Sequence, residues 1–463
     1  MFKKEVYIKR RQRLKELVGN GMILLLGNDE SSMNYKDNCY AFRQDSTFLY
    51  FFGIDRPGLT AVLDIDTDKE IVFGNDISVE DIIWTGPLES LADQANRAGI
   101  REVRPLGDIE KMIDKIRSKE SFIHFLPPYR PENKQKLNSW IHIPLEKVNE
   151  SASVLLIRSV VALRSVKDAE EIEEIEKAIN VTIDMQKKAG NLAREGISET
   201  AIAGDLHGMA LSACGDLSFP TILTVNGQIL HNHFQGNILK SGQMILCDCG
   251  AESSMHYAGD LTRTFPVDST FTTKQKEIYH IVLMAHEAAA GALKAGILFK
   301  DIHVLACEKL AEGLKDIGLM KGDIKEAVVE GVHAMFFQCG LGHMLGLDAH
   351  DMEDLGEQYV GYTDQLQKST QFGLKSLRLG KAIEPGFVLT VEPGIYFIPE
   401  LIDWWKGEKR FPDFINYNEL ERYKNFGGIR IEEDFLITET GSRLLGKYLP
   451  RTAEAVESIK VGF

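Results

Sequence analysis

The 463-residue sequence predicts an α/β N-terminal domain followed by an α+β C-terminal domain. Strand and helix patterns alternate over roughly the first 160 residues, which is typical of an α/β domain. Beyond that point, a layout of two helices followed by antiparallel strands occurs twice. The boundary is predicted within residues 163–168, so the domains comprise residues 1–163 and 164–463. The length suits two or more domains and a large buried core.

The elements of the N-terminal domain follow from periodicity and turn signals. Met22–Leu26 is a short apolar run and predicts a buried parallel strand. Strand patterns at residues 60–65 and 70–74 flank a polar turn and predict a hairpin. The other predicted elements are helices at residues 7–18, 90–98 and 108–117 and a strand at residues 122–126. Residues 40–53 are dense in aromatic side chains and fit a core strand.

The C-terminal domain is predicted to begin with two helices. A capping-box pattern at Ser165 and Asp168 precedes a helix at residues 168–189, and a second helix follows at residues 199–213. A strand at residues 221–225 and a hairpin around Asn226 and Gly227 then lead to His231. Helices at residues 273–295 and 301–317 precede a further block of strands.

Acidic residues interrupt several apolar strand patterns of this domain. Asp248 and Asp260 lie within MILCDCGAESSMHYAGDLTRTFPV, in predicted strands where carboxylates are disfavoured. Glu392 in VLTVEPGIYF and Glu432 in GGIRIEEDF have similar surroundings, and His343 follows in GLGHMLGLDAHD. Because a buried carboxylate must be paired, hydrogen-bonded or bound to a cation, these five residues are predicted to bind metal.

The charge of this ligand set favours two metal ions over one. Four carboxylates around a single dication would leave a net charge near −2, whereas two dications neutralise them. A site rich in oxygen with a single imidazole suits hard or borderline ions, so two Mn²⁺ ions are expected, with Co²⁺ or Zn²⁺ as alternatives. A water bridging two such ions would give a hydroxide nucleophile at pH 7.

The order of these motifs resembles the pita-bread metallopeptidases, specifically the aminopeptidase P and prolidase branch, over residues 164–463. The resemblance implies that Asp248 chelates one metal, that His343 and Glu392 chelate the other, and that Asp260 and Glu432 bridge both. Twelve positions separate Asp248 from Asp260, one more than this family leads us to expect. The extra residue is predicted to lie in the turn at residues 252–256.

Catalytic roles follow from the metal site and from the resemblance. Glu392 is expected to take the proton of the nucleophilic water and pass it to the leaving nitrogen. The resemblance implies that His231 and His350 face the substrate and hydrogen-bond the tetrahedral intermediate, with His233 as a competitor for the role of His231. Arg430, two residues before Glu432, is either a charge partner for the carboxylates or orients His350 or the substrate.

Two segments of the sequence point to different substrates. Residues 40–53 resemble the N-terminal domain of aminopeptidase P, which packs against a partner subunit in that family, and Trp84 belongs to this resemblance as a rim residue at the substrate site. Residues 353–381 resemble prolidases, in which an arginine, here Arg378, meets the proline carboxylate of a dipeptide.

The expected function is therefore that of an Xaa-Pro aminopeptidase, acting on peptides with proline at the second position. The alternative is an Xaa-Pro dipeptidase, or prolidase. A metal-free pita-bread binding module or a creatinase-like enzyme is a remoter alternative, which the presence of all five ligands opposes.

Composition limits the partners and the location. The net charge of −15 argues against a nucleic-acid backbone or an anionic membrane as the main partner. No apolar run approaches the roughly 18 residues that cross a bilayer, and a cytoplasmic location is expected. The six cysteines lie in apolar segments, which predicts buried thiols and no disulfides. The resemblance also implies a homodimer or homotetramer.

Overall fold

The computed structural model describes residues 1–118 and 121–460, and the chain divides into two compact units. Unit 1 contains Met1–Arg164 together with Met352–Val360, and unit 2 contains residues 165–351 and the described residues from Gly361 onward. None of the helices in the described part of the chain is both long and apolar enough to cross a membrane.

Unit 1 is built on a five-stranded sheet. Up to Ser165, its elements are α1 (Lys4–Val18), β1 (Met22–Leu26), α2 (Ser46–Phe52), β2 (Thr60–Asp64), β3 (Lys69–Phe73), α3 (Val79–Thr85), α4 (Leu91–Arg97), β4 (Glu102–Arg104), α5 (Ile109–Arg117), β5 (Ile123–Phe125), α6 (Pro131–Ile141) and α7 (Val154–Ser165). The strand order is β4-β3-β2-β1-β5. The predicted hairpin forms between β2 and β3. The strand β1 is parallel to β5 but antiparallel to β2, so the sheet is mixed.

Within the aromatic stretch at residues 40–53, Ser46–Phe52 forms the helix α2, where a core strand was a possible interpretation. Asp45 caps α2 by accepting a 2.8 Å hydrogen bond from the Phe48 backbone nitrogen, and Gly53 ends the helix in the left-handed conformation with φ of 61°. Aromatic side chains favour strands, but a polar N-cap and a terminal glycine eight positions apart define a short helix. All seven residues of α2 are buried in unit 1.

Unit 2 has the predicted α+β layout. It contains α8 (Ala169–Leu192), α9 (Glu199–Ser212), β6 (Ile222–Thr224), β7 (Met244–Cys249), β8 (Leu261–Pro266), α10 (Thr273–Ala292), α11 (Phe299–Asp316) and α12 (Ile324–Val329). The short helix α13 (Glu357–Val360) belongs to unit 1. Unit 2 resumes with β9 (Val388–Val391), β10 (Gly394–Tyr396), α14 (Pro399–Gly407), α15 (Tyr417–Leu420), β11 (Gly428–Arg430), β12 (Glu433–Ile437), β13 (Ser442–Leu444) and α16 (Ala453–Ile459).

Three small antiparallel sheets carry the strands of unit 2. Their strand orders are β6-β7-β8, β13-β12-β9 and β10-β11. In the first sheet, Asp248 of β7 lies opposite Thr262 of β8 and Ile222 of β6. Pairing of β6 with β7 corrects the prediction of a hairpin around Asn226 and Gly227, because the chain makes only turns there before β7 begins.

Two further details of unit 2 differ from the predictions. The capping box of α8 joins Asp168 to Glu171, whose Oε2 accepts a 3.0 Å hydrogen bond from the Asp168 backbone nitrogen, and does not involve Ser165. Of the six free cysteines, Cys247, Cys249 and Cys307 are buried, but Cys214 is exposed. The exposed thiol lies two residues after the end of α9, where Leu211, Ser212 and Ala213 are exposed as well.

Candidate active site

Three of the five predicted ligands form a buried cluster in unit 2. Asp260, His343 and Glu432 each offer a ligand atom, and these atoms lie within 4.8 Å of one another. Asp260 immediately precedes β8, and Glu432 lies between β11 and β12. A 3.1 Å hydrogen bond from the Glu432 backbone nitrogen to the Thr262 carbonyl joins these two segments. Elements distant in sequence therefore bring a carboxylate pair and an imidazole to one place.

His343 and Glu392 are held together by backbone pairing. Residues 341–345 run alongside β9, with a 3.0 Å hydrogen bond from the Thr390 backbone nitrogen to the His343 carbonyl and a 2.8 Å bond from Glu392 to Leu341. Gly342 permits this approach, since a Cβ there would lie 2.0 Å from the Thr390 carbonyl oxygen. The pairing places His343 Nε2 3.5 Å from Glu392 Oε1, and Nε2 is also 3.5 Å from Asp260 Oδ2.

The imidazole of His343 presents Nε2 to these carboxylates. Its Nδ1 lies 3.0 Å from the Met344 carbonyl oxygen, which can only accept a hydrogen bond. The proton of the neutral ring is therefore assigned to Nδ1 and leaves Nε2 as an acceptor or a metal ligand. Burial lowers the pKa of His343, against the opposing charge of Glu392, so burial favours the neutral ligand form.

Asp248, another of the predicted ligands, forms an ion pair with Arg430. Arg430 Nη2 donates a 2.5 Å hydrogen bond to Asp248 Oδ2, and both side chains are buried. The Asp248 Oδ1 atom is also buried and makes no hydrogen bond to any described residue. A buried carboxylate oxygen without a donor is costly unless a cation is bound to it.

The carboxylates of the cluster repel one another when charged. Burial and the nearby charges of Asp248 and Asp434 raise the pKa of Asp260 well above its ordinary value. Burial and the charges of Asp260 and Glu392 do the same for Glu432. Burial also raises the pKa of Glu392. Such a group of crowded oxygens, with one unsatisfied atom at Asp248 and a neutral imidazole, fits a site for divalent cations.

The predicted substrate-side residues are distributed around the cluster. The His350 ring lies 4.4 Å from the His343 ring, centroid to centroid, at an angle of 72°. His231 lies in an exposed turn, yet desolvation and the charges of Arg430, His350 and Arg378 lower its pKa, while Asp248 raises it. These interactions place His231 within electrostatic range of the cluster. His233 is also exposed, and because residues 231–236 form no strand, a shared strand face no longer links it to His231.

Arg378 also belongs to the surroundings of the cluster. Its charge acts to lower the pKa values of His343, Glu392 and His231. Arg378 is half-buried and follows a short 3₁₀ helix, Leu374–Ser376. Trp84, by contrast, lies on α3 of unit 1, where 83% of its surface is exposed.

Three residues that orient the cluster were missed from sequence. Thr262 Oγ1 donates a 2.6 Å hydrogen bond to Glu432 Oε2, and Tyr396 Oη accepts a 2.9 Å bond from Arg430 Nη1. Asp434 Oδ2 accepts a 3.1 Å bond from the Asp260 backbone nitrogen. Strand alternation places Thr262 on the face of Asp260, and that signal was available.

The turn between Asp248 and Asp260 leaves the strand register intact. Residues 253–257 form a turn in which His256 has a positive φ of 65° and its Nδ1 lies 2.6 Å from Glu252 Oε2. A bridge between Glu252 and Ala258 closes this turn. The pairing of Asp248 with Thr262 lies on the cluster side of the turn, so additional turn length need not displace the ligands.

Comparisons with known proteins agree with this fold and site. The model of metallopeptidase family M24 matches residues 173–439, and that of the aminopeptidase P N-terminal domain matches residues 7–124. The Xaa-Pro dipeptidase of Rattus norvegicus is 30% identical over 474 residues, covering 99% of this chain and 94% of the relative. A probable Xaa-Pro aminopeptidase of Fusarium vanettenii is 31% identical over 443 residues, covering 92% and 89%.

A solved structure of an aminopeptidase P is also similar to this chain over nearly its full length. Aminopeptidase P from Escherichia coli with the inhibitor Pro-Leu superposes with a TM-score of 0.80 at 27% identity, covering 99% of this chain and 98% of that one. The fold and the buried cluster define a pita-bread metallopeptidase. The chain belongs to metallopeptidase family M24, with an N-terminal domain of the aminopeptidase P type.

Proposed function

We propose that this chain is an Xaa-Pro peptidase, which hydrolyses the bond between an N-terminal residue and a following proline. The observation that carries the proposal is the buried cluster of Asp260, His343 and Glu432. Xaa-Pro dipeptidases and aminopeptidases are relatives of this chain over nearly its full length. In this proposal residues 1–163 and 164–463 act as separate N-terminal and catalytic domains.

Two divalent cations would be held by the five predicted ligands. Asp248, with its unsatisfied Oδ1, would bind one ion, His343 and Glu392 would bind the other, and Asp260 and Glu432 would bridge. The oxygen-rich donor set supports Mn²⁺, with Co²⁺ or Zn²⁺ as alternatives. When bound, the ions lower the pKa of water toward neutrality and so supply a nucleophile at pH 7.

The side chains around the ions would carry out proton transfer, stabilise the negative oxygen and position a ligand. Glu392, whose pKa is raised by burial, would accept the proton of the attacking water and return it to the proline nitrogen. His350, beside His343, and His231 would donate hydrogen bonds to the oxygen that becomes negative as the carbonyl is attacked. Arg430 would hold Asp248 in position and does not need to touch the substrate.

Arg378 supports dipeptides as the preferred substrates. Its charge acts on Glu392 and His343, so its guanidinium lies within electrostatic range of the proposed metal ligands. A guanidinium there would pair with a free proline carboxylate. The expectation of an aminopeptidase rested on residues 40–53, and half of this stretch is the buried helix α2 of unit 1, which does not distinguish the two substrate lengths. Both activities remain within the proposal, and the dipeptidase is favoured.

Self-association and a cytoplasmic location complete the proposal. Val79, Ile83 and Trp84 of α3 are 79%, 75% and 83% exposed. Three large apolar side chains on one short helix support a contact with a second copy of the chain, as a homodimer or within a homotetramer. All six cysteines are free thiols, which suits the reducing cytoplasm.

The proposal is tested by metal content and peptide hydrolysis on the purified full-length protein. Mass spectrometry should find stoichiometric Mn, Co or Zn, and an Xaa-Pro peptide should be cleaved at its proline bond by the metal-loaded protein and not after chelation. A protein without stoichiometric metal that leaves Xaa-Pro peptides intact would be a binding module or a creatinase-like enzyme instead.

A further inference from the structure

A second group of metal-binding side chains lies in unit 2, apart from the cluster described above. His303 and Cys307 are four residues apart on α11, and His333 belongs to a 3₁₀ helix, Val332–Met335. One ligand atom from each lies within 4.8 Å of the others. All three residues are buried, with relative exposures of 0%, 0% and 3%. The i, i+4 spacing on one helix puts His303 and Cys307 on the same face, turned toward His333.

The ring nitrogens of this group are largely without hydrogen bonds. The Cys307 Sγ atom lies 3.4 Å from His303 Nε2, and this contact is satisfactory for a thiol and an imidazole. His303 Nδ1 makes no hydrogen bond to any residue within 1–118 and 121–460, and the ring nitrogens of His333 have no partner of standard geometry there. The Val328 backbone is the one group that acts on the His333 ring as a hydrogen-bond acceptor among the described residues, and it opposes the lowering of the His333 pKa by burial. A neutral imidazole has one donor and one acceptor, and buried polar groups in native proteins are rarely left unpaired.

The protonation of the group suits a metal. Burial and the neighbouring His333 lower the pKa of His303 to about 3, and burial lowers the pKa of His333 to about 4. Both rings are therefore neutral at pH 7, which is the form that binds metals. Burial raises the pKa of the Cys307 thiol well above its ordinary value, so an empty site would hold a thiol and a filled one a thiolate, with release of a proton.

We propose that His303, Cys307 and His333 form a zinc site separate from the peptidase metals. One thiolate and two imidazoles are ligands that Zn²⁺ prefers, and they differ from the carboxylate-rich set at the cluster of Asp260. Cys339 is a further sulfur in the neighbourhood, since its charge acts to raise the pKa of Cys307. Its Sγ lies 3.9 Å from Tyr396 Oη, and Cys339 does not belong to the group whose ligand atoms lie within 4.8 Å of one another, so water is the candidate for the fourth ligand.

The position of this site gives it a structural role. The 3₁₀ helix that carries His333 leads, within ten residues along the chain, to His343 of the peptidase cluster. Zinc bound between α11 and this 3₁₀ helix would fix the start of the segment that delivers His343. The bound ion should therefore stabilise the fold and should not be consumed or needed as a reactant in hydrolysis.

The sulfur ligand makes this site distinguishable from the peptidase site, whose ligands contain no sulfur. The experiment is titration of metal-free full-length protein with Co²⁺, following the thiolate-to-cobalt charge-transfer absorption in the near ultraviolet. The wild type should develop this band up to about one equivalent per chain, and X-ray absorption of the zinc-loaded protein should show a Zn–S distance of about 2.3 Å. Cys307→Ser should lose the band, whereas Cys214→Ser, which removes an exposed thiol, should keep it.

Two outcomes would overturn the zinc site. The first is a wild-type protein that shows neither the cobalt band nor zinc–sulfur scattering, and this measurement needs no variant to fold. The second is a band that persists in folded Cys307→Ser. As a further check, Zn²⁺ should raise the Tm of Asp260→Ala, in which the peptidase metals are weakened, and should raise it less when His333→Gln is added. Loss of peptidase activity alone would not bear on the zinc site.

Discussion

Arg430 uses all three nitrogens of its guanidinium to fix its neighbours, and the bond to Asp248 is the shortest. Nη2 donates to Asp248 Oδ2 at 2.5 Å, Nη1 to Tyr396 Oη at 2.9 Å and Nε to Thr262 Oγ1 at 3.1 Å. One carboxylate oxygen of Asp248 is thereby committed, and Oδ1 remains for a cation. The guanidinium thus sets the orientation of a proposed metal ligand from outside the metal site.

Replacement of Arg430 by lysine should weaken metal binding. A single ammonium cannot reproduce three hydrogen bonds in a fixed plane, so Asp248 would lose its orientation. We expect the affinity for Mn²⁺ to fall by about 10- to 100-fold, with a parallel loss of kcat at limiting metal. Isothermal titration with Mn²⁺ measures this. Arg443→Lys, at an exposed pair with Glu176, is the matched control and should behave as wild type. An unchanged affinity for Mn²⁺ in Arg430→Lys would contradict the role of Arg430 in orienting Asp248.

Asp260 and Asp248 should differ in what their loss does to metal content. Asp260→Ala removes a proposed bridging carboxylate, so both ions and all hydrolysis should be lost together. Asp248→Ala should lose mainly one ion and retain the other at reduced activity. Metal stoichiometry by mass spectrometry after gel filtration distinguishes the two. Asp205→Ala, at a surface pair with Lys188, is the control. Full activity of folded, metal-supplemented Asp260→Ala would contradict the two-metal assignment.

Much of this fold and site followed from the sequence, and the reasons for the misses are physical. Carboxylates in apolar strand patterns have few explanations, so Asp248, Asp260, Glu392 and Glu432 were identifiable as a group. The conformation of α2 was not, because aromatic residues suit either a strand or a buried helix, and its capping at Asp45 decided the outcome. The His231 turn was misjudged because an Asn-Gly pair predicts a local hairpin, whereas β6 pairs with the distant β7.

Hydrogen bonds between distant strands account for the remaining misses. The contact of Thr262 with Glu432 joins residues 170 positions apart, and the contact of Arg430 with Tyr396 joins two different strands. Neither threonine nor tyrosine is unusual in a strand. Their roles depend on which strands become neighbours, which periodicity along one strand does not specify.

The buried His286 should make the protein less stable in mild acid. Burial lowers the pKa of His286 from 6.5 to about 4. Between these pH values the unfolded chain takes up a proton that the folded protein does not, so the free energy of unfolding falls as the pH drops, by about 3 kcal/mol for this residue. Above pH 6.5 the contribution is constant. Urea unfolding across pH 4 to 7 should show that the free energy of unfolding depends less steeply on pH in His286→Leu than in wild type.

The control for this effect is His280→Gln on the exposed side of the same helix, α10. It should retain the wild-type dependence of the free energy of unfolding on pH, because the exposed His280 side chain contacts water in both the folded and the unfolded state. If the free energy of unfolding changed equally with pH in wild type and His286→Leu, His286 would take up its proton in the folded state.

The exposed apolar residues of α3 should support self-association. Ile83→Lys and Trp84→Lys place charges on a face proposed to contact a second copy, and burying unpaired charges there is costly. Light scattering at micromolar concentration should give a dimer or tetramer for wild type and a smaller species for the double variant. Glu80→Lys, which changes an exposed acidic residue of the same helix, tests whether a charge change alone has this effect. A wild-type monomer would contradict the proposed oligomer.

The most direct test of the proposed function compares an Xaa-Pro dipeptide with the tripeptide that extends it past proline. The quantity is kcat/KM for both substrates on wild type, Arg378→Ala and the surface control Arg422→Ala, which removes one partner of an exposed pair with Glu419. If Arg378 binds the free proline carboxylate, wild type and the control should prefer the dipeptide by about a hundredfold, and Arg378→Ala should lose that preference. Tripeptides cleaved as well as or better than dipeptides, with Arg378→Ala unchanged, would contradict the dipeptidase and leave the aminopeptidase.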